Sequence, residues 1–185
     1  MSVTAYIGVG ANLGDRAATI DAAVAAIGRL DGVELLAASS LYETDPVGPP
    51  QPRYLNGAVA VNTVLSAPEL LRGLLEVERR LGRVRIDSER NAPRTIDLDL
   101  LLHGESIWRE ADVEVPHPRL MERAFVLVPL LEIAPHLCHP VTGSVLASAP
   151  CATDGFGIVM WRPRQPLDTH PERHQRSHDL SKGSS

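Results

Sequence analysis

The order of extended and helical patterns predicts an α+β fold with a ferredoxin-like βαββαβ core: an antiparallel sheet with helices packed on it and additional short C-terminal helices. Three observations lead there. Strand, helix, strand, strand, helix, strand follow one another between residues 4 and 102. Turn residues punctuate that order at Gly14, Gly32, Ser66 and Gly82, and a proline-rich stretch spans residues 45–53. A chain of 185 residues, 44% hydrophobic but only 4% aromatic, suits one core built from Leu, Val, Ile and Ala. The expected single domain spans residues 1–160, with 161–185 as a disordered tail.

Residues 4–10 read as a first buried strand, in which Gly8 and Gly10 leave room for a close approach by backbone or ligand. The loop 11–15 leads into a helix reaching about Leu30, with Ile20, Val24 and Ile27 as its inner stripe and Gly32 as its stop. Gly8, Gly10 and Gly14 miss the G-x-G-x-x-G spacing of a dinucleotide fingerprint. Residues 33–44 read as one extended segment. Four prolines in the nine residues 45–53 forbid helix and sheet interior, leaving a stiff loop of the length that often serves as a lid. Residues 54–63 return as a strand.

Ser66 and Glu69 form a capping box with Pro68 in the first turn, and the helix they open runs to about Leu81 before Gly82. Leu71, Leu74, Leu75 and Leu81 are its expected buried stripe, and Glu78 falls on that stripe. A carboxylate there requires a partner, which the nearby arginines supply. Residues 83–92 form a loop into the strand 93–102, residues 113–118 are extended, and short helical pieces follow around 119–124 and 128–134.

The chemistry concentrates on the strand 93–102. Alternation sends Ile96, Leu98 and Leu100 to an apolar face and Thr95, Asp97 and Asp99 to the other. Cα atoms two residues apart lie roughly 7 Å from each other, so both carboxylates can converge on hard cations. Six arginines (Arg79, Arg80, Arg83, Arg85, Arg90 and Arg94) stand against two acids, Asp87 and Glu89, over residues 79–94. Carboxylates for metal beside guanidinium groups are the pairing that a polyphosphate needs.

A net charge of −5 argues against nucleic-acid and acidic-membrane partners, and no apolar run approaches a membrane span. Cys138 and Cys151 are too few for a disulfide framework, and the N-terminus lacks a signal-peptide pattern, so a cytoplasmic protein is expected. His170, His174 and His178 share an i, i+4, i+8 spacing, but Pro171 interrupts it and no apolar stripe supports a helix.

Taken together, several motifs occur in one order: Tyr6-Ile7-Gly8-Val9-Gly10-Ala11-Asn12-Leu13-Gly14, Tyr42-Glu43-Thr44 with Pro46-Val47-Gly48, Tyr54-Leu55-Asn56, and Gly82-Arg83. Pro93-Arg94-Thr95-Ile96-Asp97-Leu98-Asp99, Val115-Pro116-His117-Pro118-Arg119 and Glu122-Arg123-Ala124-Phe125 complete the set. Over residues 3–136 the chain resembles the 6-hydroxymethyl-7,8-dihydropterin pyrophosphokinases of folate biosynthesis.

That resemblance implies transfer of the pyrophosphoryl group of ATP to the pterin hydroxymethyl oxygen, with release of AMP. It implies ATP as co-substrate and two Mg²⁺ ions held by Asp97 and Asp99. It assigns Arg83, Arg94, Asp97 and Asp99 to catalysis, and Glu78, Arg85, Arg94, Leu100, His117 and Arg123 to ATP. Thr44, Asp45, Val47, Tyr54, Asn56 and Phe125 would form the pterin pocket. The expected partners are these small molecules, for a monomer that could associate with other folate-pathway enzymes. The chain departs from the family at Asn91-Ala92-Pro93-Arg94, where a tryptophan often stands, and at Ile86, in place of a basic residue. A nucleotide-sugar transferase would also use D-x-D but needs a larger fold, and a ligand-sensing module of this fold would bind without catalysis.

Overall fold

The computed structural model describes residues 1–46, 50–83, 92–110, 112–154 and 157–163. In chain order these give β1 (Val3–Ala11), α1 (Arg16–Ile27), β2 (Val33–Ala38), β3 (Leu41–Thr44), β4 (Tyr54–Thr63), α2 (Ala67–Arg80) and β5 (Asp97–His103). There follow a hairpin of β6 (Trp108–Glu110) and β7 (Val113–Val115), a 3₁₀ turn at Leu120–Glu122, and α3 (Ala124–Ile133). A second 3₁₀ turn at Leu146–Ser148, α4 (Pro150–Asp154) and β8 (Ile158–Arg162) complete the described chain.

The main sheet has the order β5-β1-β4-β3-β8, with β2 also paired to β4, and each ladder is antiparallel. Its centre is the β1–β4 ladder, which runs from Val3 opposite Thr63 to Ala11 opposite Leu55. Because side chains alternate, one face of this sheet presents Ile7, Val9, Leu55, Val59, Leu98 and Leu100 to α1 and α2. The opposite face presents Ala58, Leu101 and Leu102 to α3 and the 3₁₀ turns through Leu120, Leu127, Leu130 and Leu146. The molecule is therefore helices, sheet, helix. Full burial of each such leucine contributes about 2 kcal/mol, so both layers hold the sheet.

Local signals explain the elements. Asp15 caps α1 through Ala18 N at 3.1 Å. The Ser66–Glu69 box opens α2, with Ser66 N donating to Glu69 Oε2 at 2.8 Å. Gly82 follows the end of α2 at φ 83°, a conformation that suits glycine. The phase of α2 differs from the expected stripe: Leu70, Leu74, Val77 and Glu78 are buried, whereas Leu71, Leu75 and Leu81 are only partly so. The helix starts at Ala67, itself buried, and the i+3, i+4 succession from there selects Leu70 and Leu74.

Two other expectations are refined. The extended segment 33–44 is two strands, broken at Ser39 and Ser40, where Ser39 Oγ accepts from Ala58 N at 2.8 Å and interrupts the ladder. The two helical pieces expected around 119–124 and 128–134 are a 3₁₀ turn and one α-helix that contains Pro129. Pro129 is the sixth residue of that helix and is buried. β8, which no sequence pattern suggested, reaches Arg162, whose guanidinium grips Asp21 of α1 at 2.5 and 2.9 Å. Residues 164–185, including the spaced histidines, lie outside the described residues.

Candidate active site

The site lies on the α3 face of the sheet, where β1 carries no side chains at two places. Gly10 is paired with Asp97, and Gly8 with Asp99. Each carboxylate thus stands beside a glycine, and the space so left opens into a cavity. At Gly10 the fit is tight: a Cβ there would come within 2.8 Å of Asn56 Oδ1.

Of the residues predicted from sequence, Thr44, Asp45, Tyr54, Asn56, Arg94, Asp97, Asp99, Arg123 and Phe125 line this one cavity. They come from several elements. β3 supplies Thr44, β4 supplies Tyr54 and Asn56, β5 supplies the carboxylates, and the start of α3 supplies Phe125. Arg83 and Glu78 sit beneath them. Leu100 is not brought into the cavity; its side chain is buried in the core on the opposite face. Val47 and Arg85 lie outside the described residues.

Asp97 is held by two guanidinium groups. Arg83 Nη1 lies 2.6 Å from its Oδ1, and Arg94 Nη1 lies 2.5 Å from its Oδ2. Arg83 also donates to Glu78, whose carboxylate accepts from Leu98 N at 2.7 Å and is 1% exposed. The buried glutamate thus aims Arg83 at Asp97, the orienting role expected from its place on the α2 stripe.

Asp99 is different. Among the described residues it pairs with Arg123, at 3.4 Å. Burial, and then the charge of Asp97, push its carboxyl up to about 6, against the pull of Arg123 and Arg94. Arg123 in turn stacks over Phe125 at 5.7 Å. Two hard oxygen donors side by side, one of them buried beside the charge of the other, fit a divalent cation whose remaining ligands come from a polyphosphate and water. Among the described residues no group of three or more His, Cys, Asp and Glu side chains is placed to hold a metal ion by itself.

The other end of the cavity is neutral. Asn56 Nδ2 donates to Thr44 Oγ1 at 2.7 Å, and both side chains are almost wholly buried. That bond leaves Asn56 Oδ1, its second N–H and the Thr44 hydroxyl hydrogen for a ligand with mixed donors and acceptors. Phe125 supplies the apolar surface.

His117 lies beside the cluster. Burial, and then the charge of Arg123, lower its imidazole to about 4, so it is neutral at physiological pH. Its Nδ1 accepts from Arg119 N at 3.1 Å, which places the ring proton on Nε2 as a donor.

One residue of consequence was quoted in a motif but given no role from sequence. Asn12, 2% exposed, exchanges backbone bonds with Arg94: its N donates to Arg94 O at 3.0 Å, and its Oδ1 accepts from Arg94 N at 2.7 Å. Its Nδ2 donates to Gln51 Oε1 and Pro52 O at 2.9 and 3.2 Å. Asn12 therefore ties the arginine that grips Asp97 to the proline-rich loop. An asparagine directly after a buried strand, needing several partners, was the available signal.

The sequence pattern of the family described as 7,8-dihydro-6-hydroxymethylpterin-pyrophosphokinase (HPPK) matches residues 6–135. Proteins named 2-amino-4-hydroxy-6-hydroxymethyldihydropteridine pyrophosphokinase are similar to most of this chain. The Bacillus subtilis protein is 40% identical over 169 residues, covering 91% of this chain and 96% of that protein. The Pseudomonas aeruginosa protein is 44% identical over 136 residues, covering 73% and 83%. The Synechocystis protein is 42% identical over 142 residues, covering 77% and 72%. Among solved structures, an HPPK-DHPS chain in complex with substrates matches the fold with a TM-score of 0.62 at 13% identity, covering 80% of this chain. This chain spans 42% of that solved chain's length. The matched pattern, the relatives and the site agree, and the chain belongs to the 7,8-dihydro-6-hydroxymethylpterin-pyrophosphokinase family.

Proposed function

We infer that this protein transfers the pyrophosphoryl group of ATP to 6-hydroxymethyl-7,8-dihydropterin in folate biosynthesis, giving AMP and the pterin diphosphate. The observation that carries this reading is the composition of one cavity: paired carboxylates and arginines at one end, and the Thr44–Asn56 pair with Phe125 at the other. A polyphosphate fits the first end and a flat heterocycle the second, so the hydroxymethyl group would meet the phosphate chain at the Asp97–Asp99 boundary.

In the reaction the hydroxymethyl oxygen attacks the β-phosphorus, the bond from that phosphorus to the α-phosphate bridging oxygen breaks, and AMP leaves. Positioning and charge neutralisation carry such a step. Asp97 and Asp99 would hold Mg²⁺ (two ions in our reading), which when bound polarises the phosphate oxygens and offsets their charge. Arg94 and Arg83 neutralise the transferred group, and Glu78 keeps Arg83 in register. Arg123 and the Nε2–H of His117 bind nucleotide phosphate. Asn56 and Thr44 read the pterin edge, while Phe125 and Tyr54 enclose its ring; Asp45 borders the same end.

The β5-β1-β4-β3 order supports a ferredoxin-like reading of the sheet. None of the described helices is long and apolar enough to cross a membrane. We take the protein as a cytoplasmic monomer of one domain, with other folate enzymes as candidate partners. The test is direct. Purified protein with ATP, Mg²⁺ and hydroxymethyldihydropterin should form AMP and pterin diphosphate in equal amounts, with nothing formed when the pterin is omitted or Mg²⁺ is chelated. ADP as the product, or binding without turnover, would overturn the assignment.

A further inference from the structure

The two walls of the neutral end of the pocket are joined at a point remote from it. One wall is the first turn of α3, where Phe125 and Val126 line the cavity. The helix continues to Glu132, seven residues on and about 10 Å away along the axis. There the Glu132 carboxylate accepts three hydrogen bonds: from Ser40 N at 2.9 Å, Ser40 Oγ at 2.8 Å and Tyr42 Oη at 2.9 Å. Ser40 and Tyr42 stand at the entry to β3, which is the other wall, because two residues beyond Tyr42 is Thr44 with its bond to Asn56.

β3 is short: Tyr42, Glu43 and Thr44 pair with Asn56, Leu55 and Tyr54 of β4, and its other edge pairs with β8. It is also cut off from β2 by the break at Ser39 and Ser40. These pairings hold β3 within the sheet, and none of them fixes its distance from the helix above. The carboxylate supplies what the ladder lacks, a fixed link between the strand's first residues and the helix above it. Tyr42 adds a buried ring to that link, and its phenol is pushed up to about 12 by burial and then by Glu132.

We propose that Glu132 is a positioning residue for the pterin end of the site: by tying α3 to the start of β3 it sets the gap between Phe125 and the Thr44–Asn56 pair. This rests on the functional reading above. A flat ring held between an aromatic face and a polar edge is sensitive to that gap, because an extra 0.5–1 Å forfeits roughly a quarter to a half of each dispersion contact. Most of the nucleotide end, Glu78, Arg83, Arg94 and Asp97, stands on other elements, and only Arg123, which caps α3, shares the helix that the link holds.

The role predicts a pattern across ligands and substitutions. Glu132→Ala should weaken pterin binding about ten-fold and change the affinity for a non-hydrolysable ATP analogue less than about two-fold, both by calorimetry. Glu132→Gln should restore pterin affinity. Its carbonyl can accept from Ser40 N and Tyr42 Oη, while the Ser40 hydroxyl turns to accept from the amide. Tyr42→Phe, which keeps the ring and removes one donor, should give a smaller loss in the same direction and serves if Glu132→Ala does not fold. In Glu132→Ala the Tyr42 phenolate should appear by absorbance at lower pH than in the wild type. Equal losses for both ligands, an unchanged pterin affinity in Glu132→Ala and Tyr42→Phe, or Glu132→Gln as impaired as Glu132→Ala would each overturn the proposal. Wild-type protein that fails to bind the pterin would instead overturn the functional reading and, with it, this inference.

Discussion

Arg83 and Asp97 are bonded at 2.6 Å across the base of the site, and the arginine is kept there by a glutamate that solvent does not reach. Asp97 is therefore bound into an ionic framework, whereas Asp99 is more loosely paired and resists ionisation. Their replacements should differ. Asp97→Asn should lower stability by about 1 kcal/mol, because two guanidinium groups lose a charged partner. Asp99→Asn should leave stability unchanged or slightly raised, because it removes a carboxylate that burial and its neighbour disfavour. Both should lower turnover by about 10³-fold if both hold Mg²⁺, the scale seen when one charge-stabilising group is lost. Denaturant melts and AMP release check the two halves separately. Ile96→Asn, at a fully buried core position, should fail to fold.

Gly10→Ala should be selective. Its methyl would meet Asn56 Oδ1 at 2.8 Å and push that side chain off Thr44, while Asp97 opposite keeps its arginines. Pterin affinity should fall by about ten-fold or more, with the ATP analogue bound nearly as before. Gly28→Ala, at the end of α1 and away from the cavity, is the control: its nearest neighbour would be Leu35 Cβ at an ordinary 3.6 Å. A titration with each ligand decides it.

His117 makes stability depend on pH with a definite sign. Its folded value of about 4 lies below the ordinary 6.5, so below about pH 6.5 the unfolded chain binds a proton that the native chain refuses. Its contribution is complete above that value and is lost as pH falls toward about 4. The loss should be about 1 kcal/mol after allowing for solvent screening at a partly open site. Thermal melts between pH 7 and 4 should show a steeper decline for the wild type than for His117→Asn.

β8 should matter where the tail beyond it does not. Arg162 bonds Asp21 through two nitrogens, and β8 completes one edge of the sheet against β3. Removing residues 164–185, which contain few apolar side chains, should leave the melting temperature and turnover near those of the full chain. Removal from Ile158 onward should lower the melting temperature by several degrees, roughly the effect of losing 1–2 kcal/mol in a domain of this size. Differential scanning calorimetry on both truncations checks this.

The sequence was most informative where a periodic pattern and a chemical requirement coincided. Alternation in β5 put Ile96, Leu98 and Leu100 in the core and the carboxylates opposite, and the Ser66 box located the start of α2. Glu78 could be read as an arginine's partner because a buried carboxylate must have one. What remained illegible depended on contacts distant in the chain. Ser39 and Ser40 interrupt a strand only because Ala58 N and Glu132 claim them, from 19 and 92 residues away. β8 is read as an edge only once β3 is in place. Asn12 bonds residues 39 and 82 positions later, so no local pattern announces it.

The division between the two sheet faces bears on how inhibitors of this protein would fare. A compound filling the cavity would lean on Thr44, Asn56, Arg123 and Phe125, none of which belongs to the apolar core beneath α1 and α2. Escape from such a compound by substitution is restrained twice at Thr44 and Asn56, which are buried and bonded to each other and which, under the proposed function, also contact the substrate. A drug candidate that stays within the outline of the pterin and its phosphate chain leaves resistant variants little room, because each change that excludes it also excludes the substrate.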